Sequence, residues 1–322
     1  MNTNVNLLYL SRDNIADLGL GPNEVVAQIE HLCQARERSE VRNAPKTFVK
    51  LDDERLFMST LATAEDPPYM AVKSLGLNAA NAAEGLDIIG SLITLFDHRT
   101  AQPLAIMDGD WITGIRTAGL SALAAKRFAR ADSAVIAFVG CGTQARAHLE
   151  ILAALYPLRE VRALGRGQSN RDALCDMAVG LGLTAVPCDL PREAVEAADI
   201  VVSSVPKSAA LKPFLDAGWL KPGVFASFVD QGHIWFAESL NRFDRIVIDD
   251  VEQEADMEYP MLPSGMADGD IRDIVCDRMP GRLNDQERIA FVFRALALAD
   301  LALASLAYER ARELGMGTVL ER

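Results

Sequence analysis

Two cationic residues and one glycine turn hold most of the chemistry legible in this chain. In YMAVKSLG (residues 69–76), Lys73 is a charge flanked by apolar positions of an expected strand. A lysine so placed is either an anion ligand or a side chain that snorkels to water. In WITGIRTAG (residues 111–119), Arg116 lies where one domain would lead into the next. Its guanidinium could hold a carboxylate by two parallel bonds or close an interdomain salt bridge. In AVIAFVGCGTQA (residues 134–145), an apolar run leads into Gly140, Gly142 and Ala145 at G-x-G-x-x-A spacing. The first glycine permits a tight turn, the second lets backbone approach a pyrophosphate, and Ala145 still allows helix to pack on strand. The helix N-terminus that follows is an anion site. Dinucleotide binding is therefore expected at Gly140, Gly142, Thr143, Gln144 and Ala145.

The second strand of such a fold ends near the adenosine ribose, where an acid selects NAD and an arginine accommodates the phosphate of NADP. Glu160 lies twenty residues after Gly140 but precedes the strand expected at 161–164, so it sits at the wrong end. That strand leads into Gly165 and Arg166, with Arg171 nearby. Arg166 leans toward NADP, although an arginine can also stack on adenine or simply be solvated, and NAD against NADP stays open. His31, His98, His148 and His233 show no metal spacing, and no metal is expected. His148 reads as structural; His233, three residues after Asp230, could line a cleft. There is no G-x-S-x-G elbow.

These residues need elements to position them. Strands are expected at 135–139, 161–164, 200–203, 224–228 and 245–248, with helices at 143–155 and 170–180. The alternation is that of right-handed βαβ units in a doubly wound parallel sheet, an α/β Rossmann fold. The region before it differs: a helix over 22–38, strands at 47–49, 69–75 and 88–96, and a hairpin turning at 98–101. A helix over 114–130 leads into the nucleotide domain, and residues 285–314 read as one long helix.

Composition narrows the function classes. At 322 residues two domains are the natural expectation. A net charge of -13 argues against nonspecific binding to nucleic acid or anionic membranes. Five scattered cysteines without a C-x-x-C pair suggest reduced thiols in a cytoplasm. No secretory signal is visible at the start. The apolar segment 289–307 is interrupted by Arg294 and Asp300, which favours a buried or dimer-facing helix over a membrane span.

The run IMDGDWITGIRTAGLSALAAKRFA followed by VGCGTQARAHLEIL, with PGR at 280–282 and the ending AFVFRALALADLALASLAYERA, resembles the ornithine cyclodeaminase and mu-crystallin family over most of the chain. The resemblance implies a mixed α+β substrate and dimerisation domain (1–117 and 300–322), a Rossmann domain (118–299) and a homodimer. It implies that Lys73 and Arg116 surround a substrate carboxylate. A third cationic position, usually arginine, is Lys46 here, a point charge where arginine would grip in a fork; Arg42 is a nearby substitute. Thr117, Arg166, Ser203, Ser204 and Val205 join the turn residues as expected cofactor contacts.

The cyclodeaminases of the family place an acid before a Met-Pro pair and an Asp in a late loop. Here Leu56 and Phe57 precede Met58, Ser59 follows it, and Gly232 holds the loop position, with Asp230 two residues earlier as the candidate replacement. A diamino acid substrate is thereby disfavoured. The expected activity is NAD(P)H-dependent reduction of a small 2-imino acid, acyclic such as iminosuccinate or cyclic, reversible as an amino-acid dehydrogenase. Lys73 or Asp230 would handle the proton. Two other readings remain: an NAD-dependent cyclodeaminase releasing ammonia from ornithine or lysine, and a nonenzymatic NAD(P)-binding protein like mu-crystallin.

Overall fold

The computed structural model describes residues 6–38, 40–208 and 210–321. Residues 1–5 and 322, which the expected substrate domain includes, lie outside them. The chain divides into two compact units, Met1–Arg116 with Leu296–Arg322, and Thr117–Ala295.

The first unit begins with β1 (Leu7–Leu10), α1 (Arg12–Ala16), α2 (Pro22–Glu37), β2 (Val41–Asn43), β3 (Thr47–Lys50), β4 (Leu56–Ala64), β5 (Tyr69–Leu77), β6 (Ile89–Asp97) and β7 (Pro103–Asp108). Helix α3 (Gly109–Phe128) carries the chain across the boundary. The second unit then runs β8 (Val135–Val139), α4 (Thr143–Leu155), β9 (Glu160–Leu164), α5 (Gln168–Gly180), β10 (Thr184–Cys188), α6 (Pro191–Val195), β11 (Ile200–Ser203) and β12 (Phe225–Phe228). It continues through β13 (Arg245–Ile248), α7 (Val251–Ala255), β14 (Gly269–Asp270), α8 (Ile271–Val275) and β15 (Ile289–Val292). Helix α9 (Ala297–Leu314) and β16 (Thr318–Leu320) return the chain to the first unit.

In the first unit the sheet order is β16-β1-β7-β6-β5-β4-β2, with β3 also on β4. Strand β5 shows how it places Lys73: Tyr69, Ala71, Lys73 and Leu75 are buried while Met70, Val72 and Ser74 are partly exposed. A period of two sends alternate side chains to opposite faces, so Lys73 must share the buried face with its apolar neighbours. Helices α9 and α2 pack together, and α9 also packs on β4 and β5. The expected hairpin is present: β6 and β7 pair antiparallel, and the Asp97 amide donates to the Gln102 carbonyl at 2.9 Å. Strand β4 was not among the expected elements.

Helix α3 starts five residues before the expected 114, at Gly109. The amides of Asp110 and Trp111 donate to Asp108 Oδ1 at 3.1 and 2.9 Å, which caps the helix. Gly109 is required there, because a Cβ would sit 2.5 Å from Ser91 Oγ.

The second unit holds the doubly wound sheet, all parallel, in the order β10-β9-β8-β11-β12-β15-β13-β14. Its order reverses between β8 and β11, the switch point outside which such folds bind ligands. Strands β8, β11 and β13 and helix α4 run over the expected residues. The long helix expected over 285–314 is not formed. Its first part is β15, inserted between β12 and β13 and buried throughout, and the helix proper starts at Ala297. A four-residue strand covered on both faces is apolar all round, so its pattern merges with that of the apolar helix behind it. The break between them falls at Ala295, at φ +76, without the glycine or proline that usually marks one. Among the described residues no helix is long and apolar enough to cross a membrane.

Candidate active site

In the first unit Lys73 is 2% exposed, and its Nζ donates to Asp300 Oδ1 at 2.8 Å and to Thr113 Oγ1 at 3.3 Å. Arg116, one helical turn beyond Thr113 on α3, brings Nε to 2.9 Å from the same Asp300 oxygen. Thr60 of β4 donates its hydroxyl to Asp300 Oδ2 at 3.3 Å. The ion-pair partner of Arg116 thus belongs to its own unit. Its Nη1 is buried and has no hydrogen-bond partner.

Electrostatics divide these groups. Burial and then the adjacent Arg116 charge push the Lys73 ammonium down to about 8, against the pull of Asp300 and Asp110. Burial alone would raise the Asp300 carboxyl, yet the charges of Arg116, Lys73 and Lys46 hold it below the ordinary carboxylate value. Lys46 is therefore near enough to act on this cluster, whereas Arg42 is exposed on β2. Asp110 moves the other way, raised chiefly by burial although Ser91 Oγ donates to it at 2.6 Å. Around the single carboxylate of Asp300 the cluster carries an excess of positive charge and an unfilled guanidinium edge, the requirements of a carboxylate site.

Asp300 is the residue that sequence reasoning passed over. It was noticed only as a break in an apolar segment. The usable signal was that an acid inside the long apolar run of α9 must find a counter-charge.

In the second unit, the turn from β8 to α4 has the form a pyrophosphate needs. Gly140 adopts φ +93, and a Cβ there would lie 2.8 Å from the Ser204 carbonyl oxygen. The Ser204 amide donates to the Val139 carbonyl at 2.8 Å and its hydroxyl to the Gly140 carbonyl at 3.3 Å. Ser203, Ser204 and Val205 at the end of β11 therefore border the turn. Gly142 is the N-cap of the 13-residue α4, with no side-chain cap and open space where a Cβ would stand. Thr143 is exposed at the first helical position, Ala145 is fully buried, and Gln144 leaves its Oε1 buried without a partner. Uncapped amides beside open space, with an unpaired polar atom next to them, fit a bound dinucleotide.

The residues expected near the ribose lie around β9. Glu160 is the first residue of β9 and pairs with Arg162 at 2.6 Å. Arg166 is exposed just past the strand, while Arg171 is engaged by Asp189 at 2.9 Å. Thr117 is buried in α3.

Asp230 is 7% exposed after β12. Its Oδ1 accepts from Ser203 Oγ at 3.0 Å and the Gly232 amide at 3.1 Å, and its Oδ2 from the Val205 amide at 3.3 Å. Burial nonetheless raises its pKa, against the lowering influence of His233 and these donors. His233 Nδ1 contacts the Asp230 carbonyl, and its Nε2 is buried without a partner. Gln231 and Gly232 adopt φ +62 and +77, a tight loop in which Gly232 suits the left-handed backbone. His148 is a core residue: its ring bridges the Gln144 carbonyl at 2.7 Å and Ser121 Oγ at 2.8 Å. Among the described residues no group of three or more His, Cys, Asp or Glu could hold a metal ion.

A family model for the ornithine cyclodeaminase/mu-crystallin family matches residues 20–315. The chain belongs to that family. An alanine dehydrogenase of Archaeoglobus fulgidus is 25% identical over 324 residues, covering 98% of each chain. A Delta(1)-pyrroline-2-carboxylate reductase of Bacillus cereus is 26% identical over 273 residues, 81% of this chain and 83% of the relative. The Thermococcus litoralis Delta(1)-pyrroline-2-carboxylate reductase, solved with NADH and L-proline, superposes with a TM-score of 0.89 at 27% identity, over 98% of this chain and 100% of that one. This member of the ornithine cyclodeaminase/mu-crystallin family is an NAD(P)-dependent oxidoreductase.

Proposed function

We propose that the protein reduces a small 2-imino acid to the amino acid with NAD(P)H, and oxidises the amino acid in reverse. The observation that carries this reading is the buried Lys73–Asp300–Arg116 cluster with its unpartnered Arg116 Nη1. A buried donor left unmade costs about 1–3 kcal/mol, and a substrate carboxylate would satisfy it. The relatives support the substrate class, since their names denote an amino-acid dehydrogenase and a cyclic imino-acid reductase.

A dinucleotide held at the glycine turn would supply hydride chemistry; the chain supplies charge, orientation and a proton. Arg116 and Lys46 neutralise the carboxylate. Lys73, lowered to about 8, holds a proton that it can release near neutral pH to the nitrogen of the nascent amine. Asp230 is a second proton-holding group, because burial favours its acid form. Lys46, compact where a fork would be more selective, suits acids of varied shape, and Arg166 inclines the ribose end toward NADP. Lys73, Arg116 and Lys46 as substrate ligands, the turn residues with Thr117, Arg166 and Ser203 to Val205 as cofactor ligands, and residues 1–117 with 300–322 as the substrate domain form one consistent proposal.

The same sheet presents Phe57, Leu61 and Leu92 at 59%, 43% and 51% exposure. That patch suits a second copy of the chain, and a homodimer by light scattering is the expected result. An open groove of about 440 Å³ lined by Val49, Leu51, Phe57 and Leu77 adjoins it and contains neither Lys73 nor Arg116.

The test is a panel of 2-oxo acids with ammonia or methylamine, plus pyrroline and piperideine carboxylates, assayed with both cofactors. Steady NADPH or NADH oxidation with at least one imine is expected. Ammonia release from ornithine or lysine without net change in cofactor absorbance would instead establish the cyclodeaminase reading. No turnover in either assay, with dinucleotide bound, would overturn the imino-acid reading.

A further inference from the structure

An acid at the heart of an anion site works against the substrate it adjoins unless it does something the cations cannot do alone. Asp300 is 3% exposed, and its Oδ1 is shared between Lys73 Nζ at 2.8 Å and Arg116 Nε at 2.9 Å. Thr60 anchors the other oxygen. Without this carboxylate, Lys73 would be a buried ammonium beside a buried guanidinium. Desolvation and repulsion would then both favour loss of its proton. One shared oxygen also fixes the two cations relative to each other, so that the Nη1 edge of Arg116 stays unfilled.

We propose that Asp300 is a positioning residue, which keeps Lys73 protonated at neutral pH and holds the Arg116 guanidinium ready for a substrate carboxylate. Its kinetic consequence rests on the imino-acid reading above; its consequence for the charge of Lys73 does not. The charged groups acting on Lys73 are Arg116 and Asp110 from α3 and Asp300 from α9, with Lys46 acting on Asp300. Arg116 opposes the ammonium. Asp110 favours it but is itself inclined to take up a proton through burial. Asp300, held ionised by three cations, is the lasting counter-charge. Its position also explains why an α9 so rich in apolar residues tolerates one acid facing the sheet.

The experiment is lysine-selective ¹³C NMR titration of Lys73 in the whole protein, assigned by Lys73→Arg, for the wild type, Asp300→Asn and Asp300→Glu. Wild-type Lys73 is expected to be protonated at pH 7. In Asp300→Asn its titration moves to lower pH by about one unit or more, and Asp300→Glu recovers most of that shift. With substrate, the alkaline limb of kcat/KM follows the same displacement. An unshifted Lys73 in Asp300→Asn, or a neutral Lys73 at pH 7 in the wild type, overturns the proposal. Should Asp300→Asn fail to fold, judged by circular dichroism and dinucleotide binding, the wild-type and Asp300→Glu titrations decide. A Lys73 that titrates as stated in a protein that reduces no imine would sink the substrate reading and leave the role of Asp300 intact.

Discussion

Asp300 in the first unit and Asp230 in the second are both buried aspartates, yet they lean in opposite directions. Burial raises both. Asp300 is returned to the ionised side by the charges of Arg116, Lys73 and Lys46. Asp230 has only His233 and the neutral donors of a serine hydroxyl and two backbone amides to set against burial, and stays raised. The lesson is that neutral donors can satisfy a buried carboxylate without fixing its charge, whereas cations fix the charge and are themselves fixed in turn. On the proposed reading, one region binds an anion, and the other holds a proton or braces a loop.

The most severe way to break this contrast is to neutralise each acid. Asp300→Asn strands two buried cations and should cost about 3–5 kcal/mol of stability. Asp230→Asn removes a charge that the fold disfavours but turns one acceptor oxygen into a donor, so the Val205 amide loses its partner at a cost of about 1–3 kcal/mol. Urea unfolding of the two variants side by side measures the difference, and equal losses would erase it. The linkage signs also differ. Asp300, depressed in the fold, contributes stability above the ordinary carboxylate range that is lost as pH falls through that range. Asp230, raised, costs stability as pH climbs from the unfolded carboxylate value toward neutrality.

A smaller effect separates charge from geometry in the first unit. Arg116→Lys keeps the positive charge but removes the fork, so KM for the imino acid should rise roughly 10- to 100-fold with a lesser change in kcat. A KM within about twofold of wild type would show that charge alone suffices. The smallest expected effect extends the contrast to a buried base with no counter-charge. Burial lowers His148 from 6.5 to about 4 in the fold. Its folded value lies below its unfolded one, so stability falls as pH drops from about 6.5 toward 4, by about 1.7 kcal/mol in the middle of that window. His148→Gln should flatten the thermal-stability profile there, and an unchanged slope would assign acid sensitivity to other groups.

How much of this was legible in the sequence follows the same division. The second unit was readable because β8, β11 and β13 are short apolar runs punctuated by turns, and because the glycine turn announces its own backbone. Strand β15 was not, because nothing in AFVFRALAL distinguishes a strand buried on both faces from the start of a buried helix, and the break at Ala295 lacks a glycine. In the candidate site, Lys73 stood out as a charge in an apolar setting and Arg116 by its place at the domain junction. Asp300 showed only as a break in an apolar run, because its partners lie 227 and 184 residues away, a pairing that only the packing of α9 on β4 and β5 creates. The Arg282 of PGR shows the same limit: its guanidinium donates to the carbonyls of Phe128 and Val224, closing the end of α3, which no local pattern reveals.

The central claim is that the cluster around Lys73 is where an imino acid meets its charge and its proton. The most direct test measures kcat/KM for the best imine of the panel together with dinucleotide affinity, in the wild type and in Lys73→Ala. The account predicts a loss of about 10³-fold in kcat/KM with dinucleotide affinity unchanged. Retained turnover in Lys73→Ala would remove Lys73 from the reaction and contradict it.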